Sequence, residues 1–329
     1  MERLTNIQKT VGNLGELGQA VFVVNEHSTR ADSARNYIQE LCKDHPLFSG
    51  AIVLATSAAL AATVAAVREK TEGNEVNIVI PVGGDTTFNQ AATAVEGTNN
   101  ILCAIRAGNA CNAPINLQRS GRRILLPHEV LDNGEVKQIR AVEMFTDEER
   151  RIAVTIADIG LISRGARALN TWLRRVPGYG NDYVRNILHE RTLLVGHSLL
   201  SPSFGITEYF SNNTVEQRQV LGTSVANARR IGHHAVFPQT SLTEPGAFMF
   251  ELPERSSLWE YSQRIQNKGG RSLDGVLLHP GEQRVLRVDR TVPGSVDGED
   301  FVVEAGQQVT YGISPHTINV MALAQGSED

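Results

Sequence analysis

The chain has 329 residues, 41% of them hydrophobic and 20% charged, with a formal net charge of −5. That is the balance of a globular protein with a sizeable core and, by length, two domains, and the charge gives no electrostatic basis for a nucleic-acid partner. The three cysteines, Cys42, Cys103 and Cys111, are too few and too irregularly spaced for a disulfide framework or a zinc site, so a reducing, cytoplasmic setting is expected.

Met1 to Gln19 is polar and glycine-containing, with no basic-then-apolar signal segment. Ala20–Val24 reads as a short buried strand, ending in the polar loop Asn25-Glu26-His27-Ser28-Thr29 ahead of a helix from about Asp32 to Lys43. Gly50 to Val67 is uncharged and as long as a membrane span, but it is mostly alanine with Thr56, Ser57 and Thr63 inside. A strand (Ala51–Ala55), a polar cap at Thr56 or Ser57 and a helix to about Lys70 account for it, and no transmembrane segment is expected.

The stretch Val76 to Val95 organises the first part of the chain. An apolar strand (Val76–Val82) stops at Gly83-Gly84-Asp85-Thr86-Thr87 and turns into a helix with apolar residues at Phe88, Ala91, Ala92 and Val95. Such a turn suits phosphate, because backbone amides converge there and the helix adds its positive dipole end. Another short strand, Ile101–Ile105, leads into the loop Ala107 to Asn112. Three strand-helix units predict a doubly wound parallel sheet, in which ligands sit beyond the carboxyl ends of the strands. Asn25, Thr56 and Gly83 to Thr87 all fall at that edge.

From Arg122 the texture changes to short apolar runs between turn residues: Ile124–Leu126, Gln138–Phe145, Arg151–Ile159, Ala247–Leu252, Gly275–Leu278, Gln283–Val288 and Phe301–Val303. These predict a mostly antiparallel β domain, with a helical insertion at about 164–194. The expected division is an α/β domain over 1–120 plus about 305–329, and a β-rich domain over 121–304.

The order of motifs resembles the diacylglycerol kinase catalytic-domain family, which includes bacterial lipid kinases and sphingosine kinases. Gly83 to Thr87 matches four of the five positions of that family's Gly-Gly-Asp-Gly-Thr, and Asn89 continues the match. Asn25 and Thr56 stand at family positions after the first two strands, and Gly108 to Asn112 lies where the family has Gly-Thr-x-Asn-Asp. Ile159-Gly160 and the stretch from Ala226-Asn227 through Gly232 to Pro238 look like further segments of it, and Asp297-Gly298-Glu299 matches its Asp-Gly-Glu. The resemblance implies a nucleotide-binding α/β domain followed by a β-rich domain, with the last residues returning to the first. It implies ATP and Mg²⁺ as cofactors and phosphoryl transfer to the hydroxyl of a lipid such as diacylglycerol, the two substrates meeting in the cleft between domains. Carried over by position, Asn25, Thr56, Gly83, Gly84, Asp85, Thr86, Thr87, Asn89, Gly108 and Asn109 line the nucleotide site. Glu299 is then the proton acceptor, with Asp297 beside it. It also implies a cytoplasmic enzyme working at the periphery of the membrane, for which a homodimer is an open arrangement.

The departures from the pattern bear on activity. Thr86 replaces a glycine, and a β-branched residue resists positive φ, so a reshaped phosphate loop is expected. Glu26 replaces proline and brings negative charge toward a triphosphate. Asn109, Cys111 and Asn112 replace threonine, asparagine and aspartate, and the best register puts Pro245 where some relatives have a Mg²⁺-binding aspartate, which leaves no metal ligand to name. Two alternatives stay open: a catalytically weakened relative that binds nucleotide or lipid, and an NAD kinase, whose family shares Gly-Gly-Asp but fits the long β-rich half less well.

Overall fold

The structure, a computed structural model, describes residues 11, 14–28, 31–57, 59–107, 111–120, 123–124, 126–147, 149–163, 202–210, 214–231, 235–236, 240–244, 246–252 and 275–323. The chain forms two compact units, 1–140 with 316–329, and 141–315. The expected helical insertion at 164–194 lies outside the described residues.

Unit 1 is an α/β layer structure. Its strands are β1 (Leu17–Val24), β2 (Ile52–Ala55), β3 (Val76–Gly83), β4 (Ile101–Leu102), β5 (Ile105–Arg106) and β6 (Glu135–Ile139), completed by the C-terminal strand Ile318–Ala322. The order across the sheet is β2-β1-β3-β4-C-terminal strand-β6, with β5 also on β3. All pairs are parallel except β6, which runs antiparallel to the C-terminal strand. Its main helices are α1 (Ala31–Asp44), α2 (Leu60–Thr71), α3 (Asp85–Val95), α4 (Asn112–Leu117) and α5 (Pro127–Asn133). Every residue of β3 is buried, as a strand covered on both faces must be. Ile78, Ile80 and Val82 share one hydrophobic cluster with Phe22, Phe48 and, from α1, Ile38 and Leu41.

At the amino ends of these strands a chain of side-chain amides crosses the sheet. Gln19 N–H donates to Asn77 Oδ1 (3.1 Å), and Asn77 N–H donates to Asn100 Oδ1 (2.9 Å). Asn100 Nδ2 then donates to Thr98 Oγ1 (3.2 Å), Asn319 Nδ2 to the Thr98 carbonyl (3.1 Å), and Gln138 Nε2 to Asn319 Oδ1 (3.4 Å). Asn77, Asn100 and Asn319 are buried, so their mutual bonds favour one register, since a slip of one residue would leave these amides unmet.

Unit 2 is a β sandwich of two antiparallel six-stranded sheets. Its strands are β7 (Val142–Thr146), β8 (Arg150–Ala153), β9 (Ile156–Gly160), β10 (Phe204–Tyr209), β11 (Val215–Val220), β12 (Gly222–Ala226), β13 (Ala247–Leu252), β14 (Gly275–Leu278), β15 (Gln283–Val288), β16 (Val292–Val296), β17 (Glu299–Val303) and β18 (Gln308–Ile313). One sheet has the order β8-β7-β18-β15-β10-β11 and the other β14-β13-β12-β9-β16-β17. Met144, Phe204, Ile206, Leu286, Val309 and Tyr311 of the first sheet share a core with Ile159, Val225, Met249 and Val296 of the second. An α/β unit followed by a β-rich unit, with the C-terminal strand back in the first, is the expected fold class.

The boundaries differ from the sequence reading. Residues 121–140 belong to unit 1, because β6 pairs with the C-terminal strand. Residues 305–315 belong to unit 2, because β18 pairs with β7 and β15. The run Gln138–Phe145 is two strands, interrupted at Arg140-Ala141 where the chain passes between units. The helix after β2 is not capped by Thr56 or Ser57: its N-cap is Ala59, whose N–H donates to Ser57 Oγ at 3.2 Å.

Candidate functional site

The β3–α3 turn is tighter than the sequence suggests. Gly83 ends β3, Gly84 is the N-cap, and Asp85, Thr86 and Thr87 are already the first turn of α3. Among the described non-glycine residues only Cys111 and Asp297 have positive φ, so Thr86 sits in ordinary helical backbone and the expected reshaping of the loop by its β-branch does not occur. The glycine requirement lies at Gly83 and is steric, since a Cβ there would stand 2.2 Å from Thr87 Oγ1. Gly84 has no side chain to cap the helix. Thr87 Oγ1 and, two residues further, Asn89 Oδ1 are buried and have no hydrogen-bond partner among the described residues.

Asp85 Oδ1 accepts the Ala113 N–H at 3.2 Å, which ties the start of α3 to the start of α4. Ala107 N–H and Cys111 Sγ both donate to the Gly83 carbonyl, at 3.0 and 3.5 Å. Cys111 is the N-cap of α4 at φ 53°, a left-handed conformation that few side chains adopt. Burial and this bond make its thiol part of the turn's scaffold. Gly108 and Asn109 lie outside the described residues, between these two anchors. Asn112, in the place of an aspartate, is buried at the first position of α4.

The neighbouring strand ends meet the same edge. Asn25 follows β1 and donates its N–H to the Val82 carbonyl (3.0 Å), while its Oδ1 accepts the His27 N–H (3.0 Å) in an Asx turn. Thr56 follows β2 and donates its N–H to the Val24 carbonyl at 2.9 Å. Glu26, expected to oppose a triphosphate, is ion-paired with Arg35 of α1 at 2.5 Å. Ser28 Oγ, at this edge, is buried and has no partner among the described residues; the sequence placed Ser28 in the polar loop but not among the site residues. A small hydroxyl in a loop at a strand's carboxyl end was the available signal.

In unit 2 the hairpin β16–β17 turns at Asp297-Gly298, with φ of 47° and 83°. Both positive values are what a two-residue type I′ turn demands, and Asp-Gly suits it. The Asp297 carboxylate accepts N–H groups from Val154 (2.5 Å), Thr155 (3.0 Å) and Ile156 (2.9 Å), and also the Thr155 hydroxyl. Those N–H groups turn away from the sheet to reach it, which is why the expected run Arg151–Ile159 breaks into β8 and β9 at Val154-Thr155. Asn227 closes the same junction by donating Nδ2 to the Val154 carbonyl at 3.0 Å. Burial pushes Asp297 up to about 6, against the pull of Thr155 and the three amides. Asp297 is 2% exposed and its carboxylate is taken up by these four groups, so the structure gives it a scaffolding place.

Glu299, two residues on, is different. Its side chain is 25% exposed, and Oε1 lies 3.4 Å from Arg151 Nη1 of β8. Burial raises it above the usual carboxylate range, while Arg151 draws it back. Arg151 had no sequence signal, because its partner lies 148 positions away.

Among the described residues, no group of three or more His, Cys, Asp or Glu is placed to hold a metal ion, and no helix is long and apolar enough to cross a membrane. No family model and no curated protein matches the chain. Solved structures do. The crystal structure of a diacylglycerol kinase from Bacillus anthracis str. Sterne aligns with a TM-score of 0.64 at 13% identity, over 92% of this chain and 96% of that one. Two further structures from the same organism, for which the same assignment is provisional, give 0.63 and 0.65 at 13% identity, each over 92% of this chain and 97% of theirs. At that identity the likeness speaks for the fold, and the motif resemblance now has a three-dimensional counterpart along nearly the whole chain: this protein has the fold of the diacylglycerol kinases.

Proposed function

We propose that the protein is a phosphotransferase that moves the γ-phosphoryl group of ATP, with Mg²⁺, to the hydroxyl of a lipid alcohol of the diacylglycerol type. The observation that carries this reading is the β3–α3 turn. A buried, unpartnered Thr87 hydroxyl beside Gly83, at the N-terminus of a helix whose N-cap has no side chain, offers donors that fit a phosphate. Nucleotide, when bound, supplies the phosphoryl group. Thr87 Oγ1 and the start of α3 would hold its charge, Asn25, Thr56 and Ser28 would border it, and Asp85 would offer carboxylate oxygen to the accompanying cation.

In the transfer, a bond forms between the acceptor oxygen and the γ-phosphorus as the bond from that phosphorus to the β–γ bridging oxygen breaks. Glu299 Oε2 takes the hydroxyl proton, and the leaving oxygen departs with ADP. A poised carboxylate of this kind contributes roughly 10²- to 10⁴-fold. With a lipid acceptor, the protein works at the membrane surface, drawn there by its substrate.

The rival reading, a weakened relative that binds without turnover, rests on Asn112 in the place of an aspartate. Two further departures lose force, since Thr86 is helical and Glu26 is paired with Arg35. The test is a phosphate-transfer assay with labelled ATP and Mg²⁺ against diacylglycerol, other lipid alcohols and NAD. Labelled lipid, lost in Glu299→Gln, supports the proposal. ATP-dependent thermal stabilisation without any labelled product favours the binder, and labelled NAD favours the NAD kinase.

A further inference from the structure

Glu299 is held by a clamp, and we infer that Arg151 is a positioning residue that keeps Glu299 ionised and aims its second oxygen at the acceptor. This rests on the reading of Glu299 as proton acceptor.

Arg151 is fixed from three directions. Its Nη2 donates to Glu149 Oε2, its guanidinium carbon lies 4.9 Å from the Phe301 ring centroid, and its Nη1 lies 3.4 Å from Glu299 Oε1. Glu299 and Phe301 are two apart on β17 and so share a face, while Arg151 comes from the other sheet. With a side chain only 16% exposed, stacked and doubly paired, the guanidinium is unlike a solvated surface ion pair, whose partners wander.

The consequence for Glu299 follows from its two oxygens. Oε1 faces Arg151, whereas Oε2 has no hydrogen-bond partner among the described residues, so the lone pairs that could take a proton are presented on one side. A half-buried carboxyl would otherwise favour its neutral form, which cannot accept a proton. The charged groups facing it are Arg151 and Glu149, both from the β7–β8 hairpin. Asp297 is pinned in the turn before it, Asp300 points to the opposite face of β17, and the paired strand β16 carries no titratable side chain. Glu149 opposes Arg151 in its effect on Glu299, so the two set the ionisation of the base between them.

The experiment compares pH–rate profiles of kcat for the full chain and for R151M, R151K and E149Q, with labelled ATP and diacylglycerol in mixed micelles. In parallel, the Glu299 carboxyl carbon is titrated by NMR, with E299Q giving its assignment. R151M should move the acid limb and the Glu299 midpoint up by about one pH unit, the scale of losing a close opposite charge. R151K should restore both, E149Q should move both down, and KM for ATP should stay within about twofold, since uniform binding is untouched. An acid limb and a midpoint that stay put in R151M overturn the inference, as would loss of rate in R151M and E149Q alike without any shift. If E299Q turns over like wild type, the base assignment fails, and the NMR midpoint in R151M still decides whether Arg151 sets the ionisation. Should R151M fail to fold, E149Q carries the test through its opposite sign.

Discussion

Thr155 and Asp297 stand 142 positions apart, yet both the amide and the hydroxyl of Thr155 end on the Asp297 carboxylate. This contact joins the β8–β9 junction to the β16–β17 turn and so sets where Glu299 begins its strand.

Asp297→Ala should therefore act on folding before it acts on chemistry. It strands three buried N–H groups, each of which costs about 1–3 kcal/mol unmet. A loss of more than about 2 kcal/mol in urea unfolding is expected. Wild-type stability in this variant would remove the scaffolding role.

Thr87→Val is the sharper probe of the phosphate turn. It replaces an unpartnered buried hydroxyl by a methyl of similar size, so the ligand-free protein should be unchanged or stabilised by up to about 1 kcal/mol. ATP affinity should fall about tenfold, or about 1.4 kcal/mol, by calorimetry. Unchanged affinity would take Thr87 out of the site.

Restoring glycine in the motif should bring no gain. Thr86 already has helical backbone, so Thr86→Gly adds only the helix penalty of glycine, a few tenths of a kcal/mol. Transfer rate and ATP affinity should stay at wild-type values; a rise in either would show that the side chain obstructs phosphate.

The pH dependence of stability should carry the mark of Asp158, buried on β9 beside Ser163 and pushed up to about 7 by burial. Its folded pKa lies above the unfolded value of about 3.9, so the folded state binds the extra proton between those limits. Unfolding free energy should then fall as pH rises from about 4 to about 7, by on the order of 1–3 kcal/mol. Asp297 adds to the lower part of the window with the same sign. Asp158→Asn, which keeps the bond from Ser163, should flatten the curve; denaturation midpoints across pH that run parallel to wild type would contradict this.

The parallel strands were legible because strands covered on both faces are largely apolar, as Ile78–Val82 is. Strands stabilised by charge or by small residues were not. β11 (VEQRQV) is mostly polar because Arg218 pairs with Glu208 of β10 and Glu251 of β13, partners that no local pattern announces. β16 contains the turn-prone Pro293-Gly294-Ser295, and it is a strand through its pairing with β9 and β17, with the Phe301 ring lying across Gly294, where a Cβ would meet it at 2.2 Å. The motif residues of unit 1 were legible by order along the chain, whereas Asp297's ties to 154–156 and Arg151's pairing with Glu299 depend on contacts across more than a hundred positions.

The C-terminal strand lies between β4 and β6, and the amide chain through Asn319 is what registers it there. During synthesis, then, the sandwich of residues 141–315 can close while the first sheet still lacks an interior strand. Until residues 318–322 emerge from the ribosome, β4 and β6 each offer an open edge to any passing chain, and a nonsense codon just before them would remove the middle of a sheet rather than a tail.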